Sequence, residues 1–326
     1  MMARRRKGIP INGVLVVDKP AGLSSNRVVQ RVKSLTRAQK VGHTGALDPM
    51  ATGVLPLVFG EASKFSQFGL DADKQYLGRI QFGAATDTLD ADGEITETAD
   101  IPALDEALIE AVLEKFRGPQ MQLPPLISAL KQDGQPWYKL ARQGVSVERT
   151  PREIIVHELA FRAHGPDWLD IFVRCSKGTY IRTLAYDIGR ALGSLAHLSR
   201  LRRVDAGGLQ IDQAHPLEPL LERLTDDSGA LEKVLCPVDT LITHLPAISL
   251  SESECMTLIH GQKVAGHSRV ECDTMRAYFE SHQFIGLVQQ DESGHLLAKR
   301  MLTPAAAGMR GSSESGPLGS GMPSKE

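Results

Sequence analysis

No C-x-x-C pair occurs in the chain, and its four cysteines, Cys175, Cys236, Cys255 and Cys272, lie far apart. That excludes a zinc ribbon and a framework of structural disulfides. The ten histidines include no H-E-x-x-H and no pair at ligand spacing on a plausible helix face, so metal-dependent chemistry has no support. There is no P-loop, and no G-x-G-x-x-G opens a helix after a strand, which removes the usual nucleotide cradles. The run Thr86 to Gly93 spaces Asp90, Asp92 and Gly93 like a calcium loop, but Ala99 stands where the closing glutamate is required, so calcium is rejected. No apolar run approaches the roughly 20 residues that span a bilayer. The first residues resemble a signal peptide, basic then apolar. However, Pro10 and Asn12 interrupt the run, Asp18 and Lys19 close it, and no small-residue cleavage site follows. Residues 1–8 are therefore read as a basic arm, and the expectation is a cytoplasmic protein without a membrane partner.

What is present is ordinary in bulk and uneven in detail. A chain of 326 residues with 42% hydrophobic and 23% charged content can bury a large core, one main domain plus a smaller one. The formal net charge of −2 hides segregation. Residues 1 to 40 carry ten Lys or Arg against Asp18 alone, and residues 174 to 205 carry seven against Asp187 and Asp205. Between them, residues 71 to 110 hold eleven acids against Lys74 and Arg79. Two basic regions folded together would give the one-sided surface of a polyanion binder; solvated charged helices are the plainer alternative.

Gly13 to Val17 is a β-branched run that predicts a buried strand, and Ser24-Ser25-Asn26 offers N-caps for a helix over about 26–35 with Val28, Val29, Val32 and Leu35 on one face. Val54 to Phe59 predicts a second strand, placed at an edge or strand end because of Pro56. Glu61 to Phe68 reads as a short helix, Tyr76 to Phe82 as an alternating strand, and Leu104, Leu108, Ala111, Val112 and Phe116 as the apolar face of a helix. Residues 118–152 are rich in proline, with Trp137 and Tyr138 beside Lys131, Lys139, Arg142 and Arg149. Aromatics interleaved with cations suit looped RNA, and an insertion packed on the body is the equal alternative. Glu153–Arg162 and Leu169–Cys175 predict a strand pair, and Leu184, Ala185, Ile188 and Leu192 a helix from Ile181. Residues 216–245 read as helices closing the body, residues 246–302 as a small β-rich domain, and the Gly/Ser/Pro-rich residues 305–326 as a disordered tail.

The stretch Val41 to Leu55, VGHTGALDPMATGVL, carries one acid, Asp48, and one imidazole, His43, among glycines and apolar residues. Pro49 biases Asp48 towards an extended or turn conformation. Taken alone, Asp48 reads either as a cap of the turn that follows or as a carboxylate held out for chemistry.

Six segments in order then carry a family resemblance. They are VDKPAG (residues 17–22), GHTGALDPMATGVL (42–55), KQYLGRIQFGAATDTLDADG (74–93), SALKQDGQPWYKLARQG (128–144), KGTYIRTLAYDIG (177–189) and LSRLRR (198–203). Over about Gly13 to Val204 the chain resembles bacterial tRNA pseudouridine synthases of the TruB type. That resemblance implies an α+β fold with a mixed or antiparallel central sheet flanked by helices, over residues 9–245. It further implies a thumb-like insertion at about 118–152, mobile without RNA, and a PUA-like RNA-binding domain at 246–304. It implies an isomerase that converts the T-loop uridine of tRNA, uridine 55, to pseudouridine without metal or organic cofactor. The partner would be tRNA, through its T-arm and acceptor stem, with no obligate protein partner and a monomeric enzyme.

By the same resemblance Asp48 is the catalyst at the ribose, and Tyr76 stacks on the flipped base and serves in the late proton removal from carbon 5. Arg182 pairs with the Asp48 carboxylate, Tyr180 and Leu201 wall the uracil, and His43 fills the space the nucleotide leaves. Lys19 and Pro20 support the loop, and Asp90 has a supporting role. The chain departs from the family at Ile127, where an aromatic residue is usual. A synthase for another RNA, including a guide-RNA-dependent one, and a non-catalytic RNA-binding protein of the same fold are the competing expectations.

Overall fold

The computed structural model of the protein describes residues 8–128, 131–132, 134–137, 143, 145, 147–227, 229–265, 267, 272–280 and 282–308. The chain divides into two units, Met1–Leu241 and Ile242–Glu326.

The first unit begins with β1 (Gly13–Lys19), α1 (Ser25–Thr36), β2 (Val41–His43), β3 (Thr52–Phe59), α2 (Ser66–Asp71) and β4 (Lys74–Phe82). After a small hairpin, β5 (Ala84–Thr86) and β6 (Ile95–Thr98), come α3 (Glu106–Glu114), β7 (Gly118–Gln122) and the two-residue strands β8 (Lys131–Gln132) and β9 (Gln135–Pro136). It continues with β10 (Arg152–His164), β11 (Trp168–Cys175), α4 (Ile181–Ala191), β12 (Ala196–Ala206), β13 (Leu209–Gln210), β14 (His215–Pro216), α5 (Leu217–Asp226) and α6 (Ala230–Val234). One mixed sheet organises them in the order β14-β1-β3-β12-β4-β11-β10-β7, with β2 against β3 and β13 against β12. β1–β14 and β3–β12 are parallel and the remaining pairs antiparallel.

Local sequence sets the helix ends. The Ser24 side chain accepts from the Arg27 amide at the start of α1, and Asp105 does the same for Leu108 at the start of α3. Val28, Val29 and Val32 of α1, Ile181, Leu184, Ala185 and Ile188 of α4, and Leu217, Leu220 and Leu221 of α5 share one core with the sheet residues Leu15, Leu55, Phe59, Ile80 and Leu198. Each such aliphatic side chain contributes about 1.5–3 kcal/mol on burial.

Three sequence readings are corrected here. Pro56 is not at an edge: β3 lies between β1 and β12, and Pro56 pairs with Val16. The carbonyl of Pro56 accepts from Thr44 on the side away from β1, and its nitrogen faces the same side. There β2 has ended at His43 and β12 pairs only with Thr52 and Gly53, so the missing N–H costs no ladder bond. Of the face expected for α3, Val112 is buried and Leu104 and Phe116 pack on the core, but Leu108 and Ala111 are exposed and Ile109 and Leu113 are buried in their place. Residues 118–122 and 152 do not belong to an insertion: they are strand, with Arg152 paired to Gln122 at the sheet edge. Of the aromatic–basic cluster between them, Trp137 is buried, which does not suit base stacking. Tyr138, Lys139 and Arg142 lie outside the described residues, as do residues 1–7 of the basic arm and 309–326 of the tail.

The central strand β12 was not read from the sequence at all. Its parallel contact with β3 depends on Gly53, whose φ of +104° is open to glycine, and a Cβ there would meet the Arg203 carbonyl oxygen at 2.1 Å. Gly53→Ala is expected to cost about 2–4 kcal/mol, read as a lower denaturant midpoint at unchanged slope. A midpoint equal to wild type would show that β12 can move aside freely.

The second unit packs β15 (Ala247–Leu250), α7 (Glu252–Ile259), β16 (Met275–Phe279), β17 (Gln283–Gln290) and β18 (Leu296–Met301), with sheet order β15-β16-β17-β18. Ser251 and Glu254 form a reciprocal capping box at the start of α7, and Leu250, Leu258, Met275, Ile285, Leu287 and Leu296 are buried. The β-rich character expected for this region holds. Among the described residues no helix is long and apolar enough to cross a membrane.

Candidate active site

The loop after β2 is held at nearly every peptide by side chains from other elements. Ser25 of α1 accepts from the Leu47 amide at 2.7 Å and donates to the Leu47 carbonyl at 3.0 Å. Lys19 at the end of β1 is fully buried, and its ammonium donates to the carbonyls of Pro20, Leu23 and Pro49 at 2.8, 2.6 and 3.2 Å. The Gly22 amide reaches Pro49 as well. Burial lowers the Lys19 pKa to about 8, with Asp48 pulling the other way. Arg203 of β12 donates to the carbonyls of Val54, Ala46 and Gly45 at 2.7, 3.4 and 3.1 Å.

Asp48 sits at the centre of this loop. The turn that follows is closed by its carbonyl, which accepts from Ala51 at 3.1 Å. Its carboxylate is turned instead to Arg182: Nε lies 2.9 Å from Oδ2, and Nη2 donates to Oδ1 at 3.4 Å. Arg182 is buried in the first turn of α4. α4 approaches β12 closely because Gly189 has no Cβ; one would stand 2.4 Å from Ala196 Cβ. The guanidinium also donates to the carbonyls of Thr88 at 2.7 Å and Ile127 at 3.0 Å, and lies 3.5 Å from Asp90. The contact at residue 127 is thus made by backbone, for which the change to isoleucine is immaterial. Asp90 is buried and accepts from Thr88 Oγ1 at 2.6 Å. Burial raises its pKa, against the opposing pull of Thr88 and Arg182.

Across from Asp48 opens a cleft of about 270 Å³, whose lining includes Leu47, Asp48, Lys74, Tyr76, Tyr180, Arg182, Leu201 and Arg203. This is close to the lower end of small-ligand pockets, about 300 Å³. Tyr76 of β4 and Leu201 of β12 are almost fully buried in its wall. Burial raises the Tyr76 pKa, and the neighbouring Arg203 guanidinium opposes that rise. Tyr180 precedes α4, and its backbone is clasped by Gln122, whose Oε1 accepts from the Tyr180 amide at 2.8 Å while Nε2 donates to its carbonyl at 3.0 Å.

The fold therefore brings Asp48, Tyr76, Tyr180, Arg182 and Leu201 together around one cleft, with Asp90 behind Arg182 and Lys19 and Pro20 behind the loop. His43 is at the end of β2 and is not one of the lining residues. Burial and Arg203 lower its pKa, and its Nδ1 accepts from the Gly45 amide at 3.3 Å. Arg203, Lys74, Ser25 and Gln122 were missed as site residues. Among the described residues no group of three or more His, Cys, Asp or Glu could hold a metal ion.

Comparison with known proteins matches residues 33–181 to the TruB family pseudouridylate synthase N-terminal domain. Residues 182–243 match the tRNA pseudouridylate synthase B C-terminal domain, and residues 246–302 the pseudouridine synthase II TruB C-terminal domain. A tRNA pseudouridine synthase B from Chromohalobacter salexigens is 47% identical over 94% of this chain and 99% of its own. One from Saccharophagus degradans is 46% identical over 92% of this chain and 98% of its own. The solved Cbf5-Nop10-Gar1 complex contains a chain of similar fold, with a TM-score of 0.69 at 23% identity, covering 90% of this chain and 86% of that one. The chain belongs to the TruB family of pseudouridylate synthases, isomerases that make pseudouridine.

Proposed function

We propose that the protein converts the T-loop uridine of tRNA, uridine 55 in tRNA numbering, to pseudouridine. The observation that carries this is the ion pair of Asp48 with buried Arg182 at the mouth of a base-sized cleft walled by Tyr76, Tyr180 and Leu201. A target base in a folded loop must first leave its stack, at a cost of a few kcal/mol. Stacking on the Tyr76 ring returns about 1–3 kcal/mol of that. Asp48 then acts at the ribose, as nucleophile at the anomeric carbon or as base at the adjacent one. The bond from uracil nitrogen 1 breaks with its electrons staying on the base, and the ring turns. Carbon 5 then joins the anomeric carbon as the bond to Asp48 breaks, or as Asp48 returns the proton it took. The carbon 5 proton is lost while nitrogen 1 gains one, Tyr76 serving in that transfer. His43 enters the space the nucleotide vacates. Residues 123–151 close on the T loop as a thumb, and residues 246–304 act as a PUA-type module towards the acceptor stem. The enzyme works as a cytoplasmic monomer without guide RNA; identity near 47% along nearly the whole chain to a protein named tRNA pseudouridine synthase B supports a tRNA substrate over the guide-dependent alternative.

A tRNA with that uridine changed to cytidine is expected to gain no pseudouridine under conditions that fully modify the parent, mapped by chemical tagging and primer extension. Modification of the changed tRNA at another position would reassign the target.

A further inference from the structure

Arg203 has no place in the mechanism above, yet it is the largest fully buried side chain among the described residues. A guanidinium cannot discharge itself to suit such a site, so every N–H must find an acceptor. One nitrogen donates to Val54, on the strand beside it. The other two reach Ala46 and Gly45, two and three residues before Asp48 in its loop. Tyr76 is the direct cross-strand partner of Arg203 in the β12–β4 ladder, a spacing of about 4.5–5.5 Å between Cβ atoms. The guanidinium stands near enough to the Tyr76 side chain to act on it electrostatically. Both side chains line the cleft. The planar fork thus ties β12 to the peptides that lead to Asp48, alongside the Tyr76 ring in the wall of the cleft.

We propose that Arg203 is a positioning residue for the isomerisation, holding the Asp48 loop by hydrogen bonds while it stands beside its cross-strand partner Tyr76, and so keeping the two at one separation. The inference rests on the proposed function, because it assigns Arg203 a share in the spacing that reaction requires. Such a group acts on the chemical step and not on RNA capture, since it is buried beneath the site. Misplacement of reacting groups by about 1 Å costs on the order of 100-fold in rate.

The test is steady-state kinetics and tRNA binding for Arg203→Met and Arg203→Lys beside wild type, with thermal melts to establish folding. Arg203→Met is expected to lose about 100-fold in kcat with KM and tRNA affinity unchanged. Arg203→Lys, which keeps the charge but not the fork, is expected to fall between the two. If the Met variant does not fold, the Lys variant alone decides. A kcat in Arg203→Lys within about twofold of wild type, or a loss lying wholly in KM, overturns the proposal. Failure of the function itself would show differently, as a wild-type enzyme that makes no pseudouridine.

Discussion

Asp48→Asn is expected to release no tritium from tRNA labelled at uracil carbon 5, while wild type releases it stoichiometrically with pseudouridine. The amide has the shape of the carboxylate and retains an oxygen for the Arg182 N–H groups, so the loop, held by Lys19, Ser25 and Arg203, should keep its course. What it loses is the negative charge, and with it the capacity to attack the ribose or take its proton. A fall of about 10⁴-fold or more in single-turnover rate is expected, the range set by removal of an acid–base group or nucleophile. Binding of tRNA, measured by filter retention, should stay near wild type, because an anionic side chain contributes nothing favourable towards a polyanion. Equal tritium release from both proteins would remove Asp48 from the reaction.

The second large effect is expected at Arg182. Replacing it with methionine fills comparable space but leaves Asp90 buried without its cation and frees Asp48 to swing. Breaking a buried pair by deleting one member costs about 3–5 kcal/mol, and losing an oriented charge at the reacting centre costs on the order of 10²–10³ in rate. The stability loss should depend on pH with a definite sign. Burial already raises the Asp90 pKa above the ordinary 3.8, and deleting Arg182 removes a group that opposes the rise. In the window between the unfolded and folded values the native state binds more protons, so stability falls as pH rises through it. The gap between Arg182→Met and wild type should therefore be widest at neutral pH and narrow as the solution is acidified. Urea titrations at several pH values check this; a gap independent of pH would mean Asp90 is not the group left uncompensated. Arg182→Lys should recover little, since one ammonium cannot serve Asp48, Asp90 and two carbonyls together.

Much of this site was legible in sequence through a family resemblance carried by short, punctuated motifs, whereas its residues taken alone left Asp48 as readily a cap as a catalyst. Asp48 precedes a proline among glycines, Tyr76 sits in a strand of clean alternation, and Arg182 opens a helix with unambiguous spacing. What stayed hidden is what long-range pairing decides. β12 is broken by irregularities between Leu198 and Arg200 and between Arg203 and Asp205, which shift the period on which strand reading depends. Its arginines read as surface charge, and only the assembled sheet shows that Arg203 is buried while Arg200 is exposed. Gln122 failed to register for a similar reason, since its partner Tyr180 is 58 residues away. Pro56 misled by a rule that is sound for most sheets, and was overruled by the gap between β2 and β12. The face of α3 was misjudged only at Leu108 and Ala111, because the neighbouring Ile109 and Leu113 continue an equally good apolar stripe with Val112.

The place of β12 in the sheet also has a consequence for synthesis. It is the strand that joins β3 to β4, yet it is made last of the three. Roughly 110 residues separate the end of β4 from the start of β12, about 5–20 s of translation at about 5–20 residues per second. Throughout that interval the edge of β4 that β12 will cover, and the Thr52–Gly53 end of β3, have no partner, and such edges recruit strands from other chains. The same late strand delivers Leu201 and Arg203, so the cleft closes only when the sheet does. A nascent chain halted before Ala196 would hold Asp48 and Tyr76 on two separate pieces of sheet, aggregation-prone and without a site.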